Sequence, residues 1–404
     1  MFAALPAALI LFVIASVFKI SFIYNVSYLL FGVYFLATFW SQRTMKDLRV
    51  TRAYQERALL GDVVDVTLEI ENQSVLPIPW LFIHDRLPLS LISPPFFRRL
   101  ISLDPHEKRV FRYQLYCRQR GWYQIGPLTA GLGDVFGLSG RQQDYAAGVH
   151  LTVYPKILSL DELGFPSKSP FGDLRTRQLL YEDPSRVVGV REYQSGDSLR
   201  KINWKVSASS GRLQVRKLEP AMTLETVLLL NVNRSEYDRQ HAYAGAEQGI
   251  IVAASLASHL AGLRQEVGLL TNGIDPAAPE ASGLAGYLPG KGRAHLISIL
   301  ELLGRLTVVD DRSFWSEART EFRRLPWGAT LVFVTPRETD ELLETVLPLR
   351  RSGFNVVLVY LDYPNPAVWE SAQRRAATLG MTAYRIWRDD DAEIWRQPAR
   401  VGLS

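Results

Sequence analysis

Gly189-Val190-Arg191-Glu192-Tyr193-Gln194-Ser195-Gly196-Asp197-Ser198-Leu199-Arg200-Lys201-Ile202-Asn203-Trp204-Lys205, running on through Gly211-Arg212-Leu213-Gln214-Val215-Arg216-Lys217, divides the chain into two kinds of sequence. Before it, short segments alternate apolar and polar residues. After it, apolar runs of strand length alternate with amphipathic helical patterns. The stretch itself is basic, carries Tyr193 and Trp204, and breaks at Gly196-Asp197. A structural reading makes Asp197 the cap of a short helix through Ile202 and Trp204, with both aromatics half-buried. Arg191 and Arg200 then pair with Asp197 or Glu192, and Leu213 and Val215 point inward from a connecting strand. A docking reading takes Arg200, Lys201, Lys205, Arg212, Arg216 and Lys217 as a cationic face for an acidic protein or anionic headgroups, worth about 1 kcal/mol per cation near a membrane. The residue types assign structure to Tyr193, Gly196, Asp197 and Trp204 and leave contact to the outward cations. No recognisable nucleic-acid module accompanies these charges, so nucleic acid is not the expected partner.

Downstream, the pattern is α/β. Thr226–Val232, Glu266–Leu270, Ala329–Val334, Asn355–Tyr360 and Thr382–Trp387 read as strands. Ala244–Leu263, Arg293–Leu306, Glu338–Arg350 and Ala367–Leu379 read as helices, the second with Leu296, Ile299, Leu300 and Leu303 on one face. This alternation predicts a Rossmann-like parallel sheet covered on both faces, with any ligand beyond the carboxyl ends of the strands. Those ends deliver Asn231-Val232-Asn233-Arg234-Ser235 and Thr335-Pro336-Arg337. Neither a Ser-His-Asp set nor a Cys-His pair is evident there, and the six histidines are scattered without metal-ligand spacing. Gly290-Lys291-Gly292-Arg293 is no phosphate loop, because position 285 is Ala and no Ser or Thr follows the lysine.

Upstream, Val64, Val66, Leu68 and Ile70 alternate with Asp65, Thr67, Glu69 and Glu71, and Asn72-Gln73-Ser74 supplies turn chemistry. Phe111, Tyr113, Leu115 and Cys117 form a second such face, which makes Cys117 a small buried hydrophobe. Further strands fit Arg49–Tyr54, Leu81–His84, Gln124–Thr129 and His150–Val153, and the frequent prolines exclude a long helix. The expectation is a small antiparallel sandwich. Gly131-Leu132-Gly133-Asp134-Val135-Phe136-Gly137 has one residue too many for a dinucleotide loop and reads as a glycine-rich turn.

At the N-terminus, Phe2–Phe18 and Ile20–Gln42 are uncharged apolar runs separated by Lys19. Each is about long enough to cross a hydrocarbon core of roughly 30 Å, the first only just. A cleaved signal is the competing reading, but no basic segment precedes the first run and a second follows it. Tyr24 and Trp40 suit the interface, and Arg43, Lys46, Arg49 and Arg52 follow directly. The excess of cations after the second run predicts a two-span membrane protein with its remainder in the cytoplasm. The 47% of apolar residues can fill cores in the two or three domains that 404 residues imply, and a 22% charged fraction is near average, against large-scale disorder. A net charge of +5 mildly favours anionic partners, and a single cysteine cannot form an intrachain disulfide.

The central stretch resembles the signature of the bacterial domain-of-unknown-function 58 family, approximately Arg-x-Tyr-x-x-Gly-Asp-x-x-Arg-x-Ile-x-Trp-Lys-x-Ser-Ala. Arg191, Tyr193, Gly196, Asp197, Arg200, Ile202, Trp204, Lys205, Ser207 and Ala208 meet it. The two N-terminal runs, Arg120-Gly121-Trp122-Tyr123-Gln124-Ile125-Gly126-Pro127 and Gly133-Asp134-Val135-Phe136-Gly137-Leu138 also look like that family. The resemblance implies a von Willebrand factor A-like C-terminal domain and partnership with a MoxR-type AAA+ ATPase and a transglutaminase-like membrane protein. No established catalytic activity comes with it. Domains of the von Willebrand type often hold Mg²⁺ through Asp-x-Ser-x-Ser and distal Thr and Asp residues. Here Asn231, Asn233 and Ser235 occupy the first motif, and Thr335 is followed by Arg337 rather than an acid. Mg²⁺ usually needs one or two carboxylates, so no cofactor is expected.

The expected architecture is a transmembrane hairpin (1–42), a β-sandwich (47–155) and a von Willebrand factor A-like domain (175–404) carrying the signature at 189–217. The expected function is a non-catalytic membrane scaffold or adaptor in complex assembly or cell-envelope processes. The alternatives are a hydrolase at the switch point of the sheet and a binder of anionic lipid or polymer.

Overall fold

The uncharged run after Lys19 forms one long helix that continues into the sandwich. The computed structural model describes residues 4–133, 140–146, 148–163, 165, 182–194, 202–220, 225–238, 242–279, 283–310, 314–326, 328–361 and 365–386. Helix α1 (Ala4–Phe18) and helix α2 (Ser21–Lys46) are separated by Lys19, at φ 48°. The ring of Phe12 meets those of Tyr24 and Phe31, at centroid separations of 5.7 and 6.5 Å. At 1.5 Å per residue α1 is only about 22 Å long, short of a hydrocarbon core, whereas α2 reaches about 39 Å. Among the described residues α2 is the one helix long and apolar enough to cross a membrane. It does not stop at Gln42: its last turns bury Ser41, Thr44 and Met45.

The chain folds as two units. The first comprises Met1–Lys156, Asp275–Pro279 and Leu300–Thr307; the second comprises Ile157–Ile274, Glu280–Ile299 and Val308–Ser404. In the first, β1 (Leu48–Ala53), β2 (Arg57–Leu59), β3 (Val63–Asn72), β4 (Ile78–Arg86) and β5 (Phe96–Leu103) are followed by β6 (Lys108–Tyr116), β7 (Gly121–Ile125), β8 (Leu128–Gly133), β9 (Gly140–Ala146) and β10 (Val149–Tyr154). They form sheets in the orders β1-β3-β6, β5-β4-β8-β9 and β2-β10-β7. The first two face each other across a core of Leu48, Leu68, Ile70, Ile78, Leu81, Ile83, Leu103, Leu128 and Leu132, which Met45 of α2 joins. The period-two pattern of β3 places Val64, Val66, Leu68 and Ile70 inward as expected, and Cys117 is buried, its thiol pushed up to about 11 by desolvation and then by Asp62.

Three expectations change here. The segment Gln124–Thr129 is not one strand, because Gly126-Pro127 turns the chain between β7 and β8. Gly126 has φ +98°, and a Cβ there would lie 3.1 Å from Arg52 Nη1. That same Arg52, expected among the cations after the apolar run, is buried. Its Nη1 donates to Asp85 Oδ1 at 2.9 Å and its Nη2 to the Ile125 carbonyl at 3.0 Å. Tyr113 Oη donates to Asp85 Oδ2 at 2.6 Å. The residues Gly131-Leu132-Gly133 lie in β8 rather than in a turn, and Asp134–Leu138 lie outside the described residues.

In the second unit β11 (Glu182–Glu192), α3 (Trp204–Ser210) and β12 (Gln214–Pro220) precede β13 (Glu225–Leu230), α4 (Ala242–Gly262), β14 (Glu266–Thr271) and β15 (Ala285–Gly290). Then come α5 (Arg293–Arg305), α6 (Phe314–Glu321), β16 (Thr330–Thr335), α7 (Asp340–Arg351), β17 (Asn355–Tyr360), α8 (Pro366–Thr378) and β18 (Thr382–Arg385). The sheet order is β15-β14-β13-β16-β17-β18. Every neighbouring pair is parallel except β14–β15. The expected all-parallel sheet therefore gains an antiparallel edge, in a Gly- and Pro-containing segment that carries no strand pattern. Helix α6 was also not expected from periodicity. Residues of α6, α7 and α8 pack on one sheet face around Phe333, Leu331 and Leu358. On the other face α4 approaches closely through Gly249, where a Cβ would lie 2.9 Å from Leu361 Cδ1 and 3.2 Å from Leu230 Cδ1. Strands β14 and β16 flank β13 on opposite sides, which puts the switch point at its carboxyl end.

Candidate functional site

The carboxyl ends of β13, β14 and β16 hold a buried polar network. Asn231 and Asn233 follow β13, and a 3-10 turn at Arg234–Glu236 folds the next residues back over them. Asn231 Nδ2 donates to Glu236 Oε2 at 2.9 Å, and Asn233 Nδ2 to Glu236 Oε1 at 3.4 Å. Asn231 Oδ1 accepts from the Asn233 backbone N–H and from Asn272 Nδ2, both at 3.1 Å. Asn272, just after β14, accepts from the Val232 N–H. Asn233 Oδ1 accepts from the N–H and the hydroxyl of Ser235. Tyr237 Oη closes the loop onto the Asn231 carbonyl, and Arg337 Nε donates to the Glu236 carbonyl. The network thus brings together Asn231, Asn233 and Ser235. Thr335 is fully buried at the end of β16, and its Oγ1 has no hydrogen-bond partner.

Glu236 is the carboxylate that motif spacing missed. Desolvation raises its pKa above the ordinary 4.5, against the donated bonds of Asn231 and Asn233, and the charge of Glu341 raises it further. The Trp315 indole N–H is buried without a hydrogen-bond partner among the described residues. An i, i+2, i+4 reading stops at Ser235; the tight turn brings the following acid back. Asn272 stands two residues past the strand expected at Glu266–Leu270. The donor set does not fit Mg²⁺. The one carboxylate is committed to two amide donors, and both asparagine oxygens are already acceptors within the loop. Among the described residues no three His, Cys, Asp or Glu side chains converge on a metal-sized site.

In the described part of the stretch 189–217, β11 pairs antiparallel with β12 as a β-hairpin, and α3 lies in the sequence between its strands. The helix is capped by Asn203, whose Oδ1 accepts from the Val206 N–H, and it ends at Gly211 in the left-handed conformation. The expected cap, Asp197, lies with Gly196, Arg200 and Lys201 outside the described residues. Ile202 and Val215 are buried and bridge to each other, and Ser207 Oγ accepts from the Gln214 N–H. Tyr193 is half-buried, and its N–H donates to the Leu213 carbonyl. Trp204 is not half-buried as expected: it is 66% exposed, and Leu213, expected to point inward, is 46% exposed. Trp204 opens α3, where the buried position one turn on is Ser207. Lys205, Arg191, Arg212 and Arg216 are exposed, and Arg212 pairs with Glu192 at 2.8 Å. Lys217 lies in β12.

The segment from the end of β11 through α5 is the part of the chain that matches a known family. Residues 189–305 match the family described as "Protein of unknown function DUF58". The uncharacterized protein YeaD of Bacillus subtilis (strain 168) is 24% identical over 183 residues, an alignment spanning 42% of this chain and 44% of that relative's length. Among solved structures, the CARDB domain of the PF1109 protein from Pyrococcus furiosus is 15% identical, covering 26% of this chain and 92% of that chain, with a TM-score of 0.21. A beta-glucosidase from Listeria innocua is 11% identical over 28% of this chain and 16% of its own, with a TM-score of 0.18. TM-scores this low do not define a shared fold.

Proposed function

We propose that this chain is a membrane-anchored, non-catalytic adaptor whose C-terminal, von Willebrand factor A-like domain docks a protein partner through the β11–α3–β12 segment. The observation that carries this reading is the exposure of Trp204 beside Lys205, in the stretch that matches the family. A solvent-exposed tryptophan costs hydrophobic free energy when left unpartnered, and Trp and Arg are enriched among residues that dominate binding energy. Arg191, Arg212 and Arg216 lie on the same hairpin and complement an acidic partner surface. At the switch point, the amides are bonded to one another and to Glu236, an arrangement that favours a loop scaffold over a hydrolytic centre. The partner we infer is a MoxR-type AAA+ ATPase, with a transglutaminase-like membrane protein as a second component, in complex assembly or cell-envelope work. The membrane topology that goes with it has α2 as a full span, α1 as a shorter second span paired with it, and the following cations, Arg43, Lys46 and Arg49, on the cytoplasmic side.

The test is affinity purification of the tagged full chain from its native membrane with ATP present. An AAA+ ATPase should co-purify, and Trp204→Ala should lower its recovery about tenfold or more, the loss expected of a central aromatic contact. Unchanged recovery with Trp204→Ala would move the docking surface elsewhere, and no ATPase at all would remove the partner.

A further inference from the structure

The loop between β3 and β4 returns along the apolar helix instead of leading away from it. At its start the Gln73 N–H donates to the carbonyl of Asp47, and at its end the Pro77 carbonyl accepts from Trp40 Nε1 at 3.0 Å. Asp47 and Trp40 are seven positions apart, which is about 10 Å along a helix. Helical side chains lean towards the N-terminus, so the indole reaches further still in that direction. The loop therefore laps back onto the apolar segment. The twenty residues Ser21–Trp40 span about 30 Å, the thickness of a hydrocarbon core, so Trp40 falls at its edge. Val75, 73% exposed, is two residues from Pro77, the residue bonded to Trp40, and so within about 7 Å of Pro77 along the chain.

The loop is also tightly built. Asn72 is fully buried, and its Nδ2 donates to the carbonyls of Leu76 and Asp104 while its Oδ1 accepts from the Ser74 N–H. Ser74 is buried and its hydroxyl accepts from the Leu76 N–H. Buried hydrogen bonds thus hold an exposed valine outward at the level where α2 leaves its apolar segment. We propose that loop 73–77 is a membrane-contact element: Val75 and Pro77 sit at the boundary of headgroups and acyl chains, and with Trp40 they seat the sandwich directly on the bilayer surface. The occupant of this surface is lipid, and the proposal rests on α2 crossing the membrane.

The full chain, reconstituted in phosphatidylcholine–phosphatidylglycerol nanodiscs, carries a nitroxide at Val75→Cys, Leu89→Cys or Phe35→Cys. Native Cys117 is buried with a raised pKa and does not label. Leu89 is exposed just beyond β4, whose start lies beside the loop, and Phe35 is exposed on α2. Power saturation against oxygen and an aqueous nickel complex reads the depth of each label. Val75→Cys should show nickel accessibility several-fold below that of Leu89→Cys and oxygen accessibility approaching that of Phe35→Cys. If Val75→Cys is as water-accessible as Leu89→Cys while Phe35→Cys reads the acyl core, the loop contact is wrong and the spanning helix stands. If Phe35→Cys also reads water, the spanning helix falls and the loop contact with it.

Discussion

The two units bury polar side chains in opposite ways. In the sandwich the buried cluster is an ion pair, Arg52 with Asp85, closed by the Tyr113 hydroxyl and the Ile125 carbonyl. Its side chains are 2% and 0% exposed, and every contact is a complementary donor and acceptor. Burial and the neighbouring Asp85 carboxylate push the Tyr113 phenol far up, so it remains a donor. In the α/β unit the cluster is made of amides around one carboxylate, and the adjacent Thr335 hydroxyl is unsatisfied. A paired charge joins β1, β4, β6 and the β7–β8 corner, and it is costly to break. An amide network fixes one loop at a ligand-binding position of the fold, and its parts can be changed with less loss.

The largest effect should come from breaking the pair. Asp85→Ala leaves the buried Arg52 without its counter-charge and should cost about 3–5 kcal/mol in denaturant unfolding of the full chain in detergent. Replacing both partners, Arg52→Met with Asp85→Leu, should cost less than Asp85→Ala alone; a larger cost for the double variant would contradict the account. At the other cluster the sign reverses. Thr335→Val keeps the shape of a fully buried side chain and removes its unpartnered hydroxyl, which should stabilise the protein by about 1 kcal/mol. A loss of that size would mean that the hydroxyl is bonded in the folded protein.

Glu236 gives a smaller, pH-dependent effect. Its folded pKa lies above the ordinary 4.5 because burial disfavours its charge, so the folded state holds that proton more tightly than the unfolded chain does. The group's contribution to stability is complete below pH 4.5 and is lost as pH rises through the folded value. Glu236→Gln cannot ionise, so the variant's melting temperature relative to the native protein should rise over that window and then level off. A flat difference from pH 4 to 8, on the order of one titration range each side, would remove the desolvated carboxylate from the account. The smallest effect belongs to the exposed aromatic: Trp204→Ala should change unfolding by less than about 0.5 kcal/mol, so that any loss of partner reflects contact and not folding.

Much of the fold is legible in the residues. The alternation in β3 and β6, the α/β succession after Glu225 and the apolar run of α2 follow from hydrophobic period and length, which are local properties. The antiparallel β15 and the split at Gly126-Pro127 were not legible, because an edge strand has only one ladder to satisfy and can be made of Ala, Gly and Pro. The site was half legible. Asn231, Asn233, Ser235 and Thr335 stand at strand ends in the sequence itself. Glu236 and Asn272 join them only because a 3-10 turn and a neighbouring strand bring them back, and the exposure of Trp204 appears only in the folded chain.

The central stretch shows the division of labour. By itself the sequence determined that Gly189–Lys217 is basic, carries a family signature, and separates a β region from an α/β region. It also determined that two uncharged apolar runs, parted by Lys19, stand before the β region, since composition over some twenty residues is enough for that. Tertiary structure decided which polar residues meet: Arg52 leaves the membrane-proximal cations to pair with Asp85, Glu236 supplies the carboxylate that the strand-end motif lacks, and loop 73–77 turns back to Trp40. Burial and hydrogen bonding act between residues far apart in the chain, so their outcome belongs to the folded protein and not to any one stretch of it.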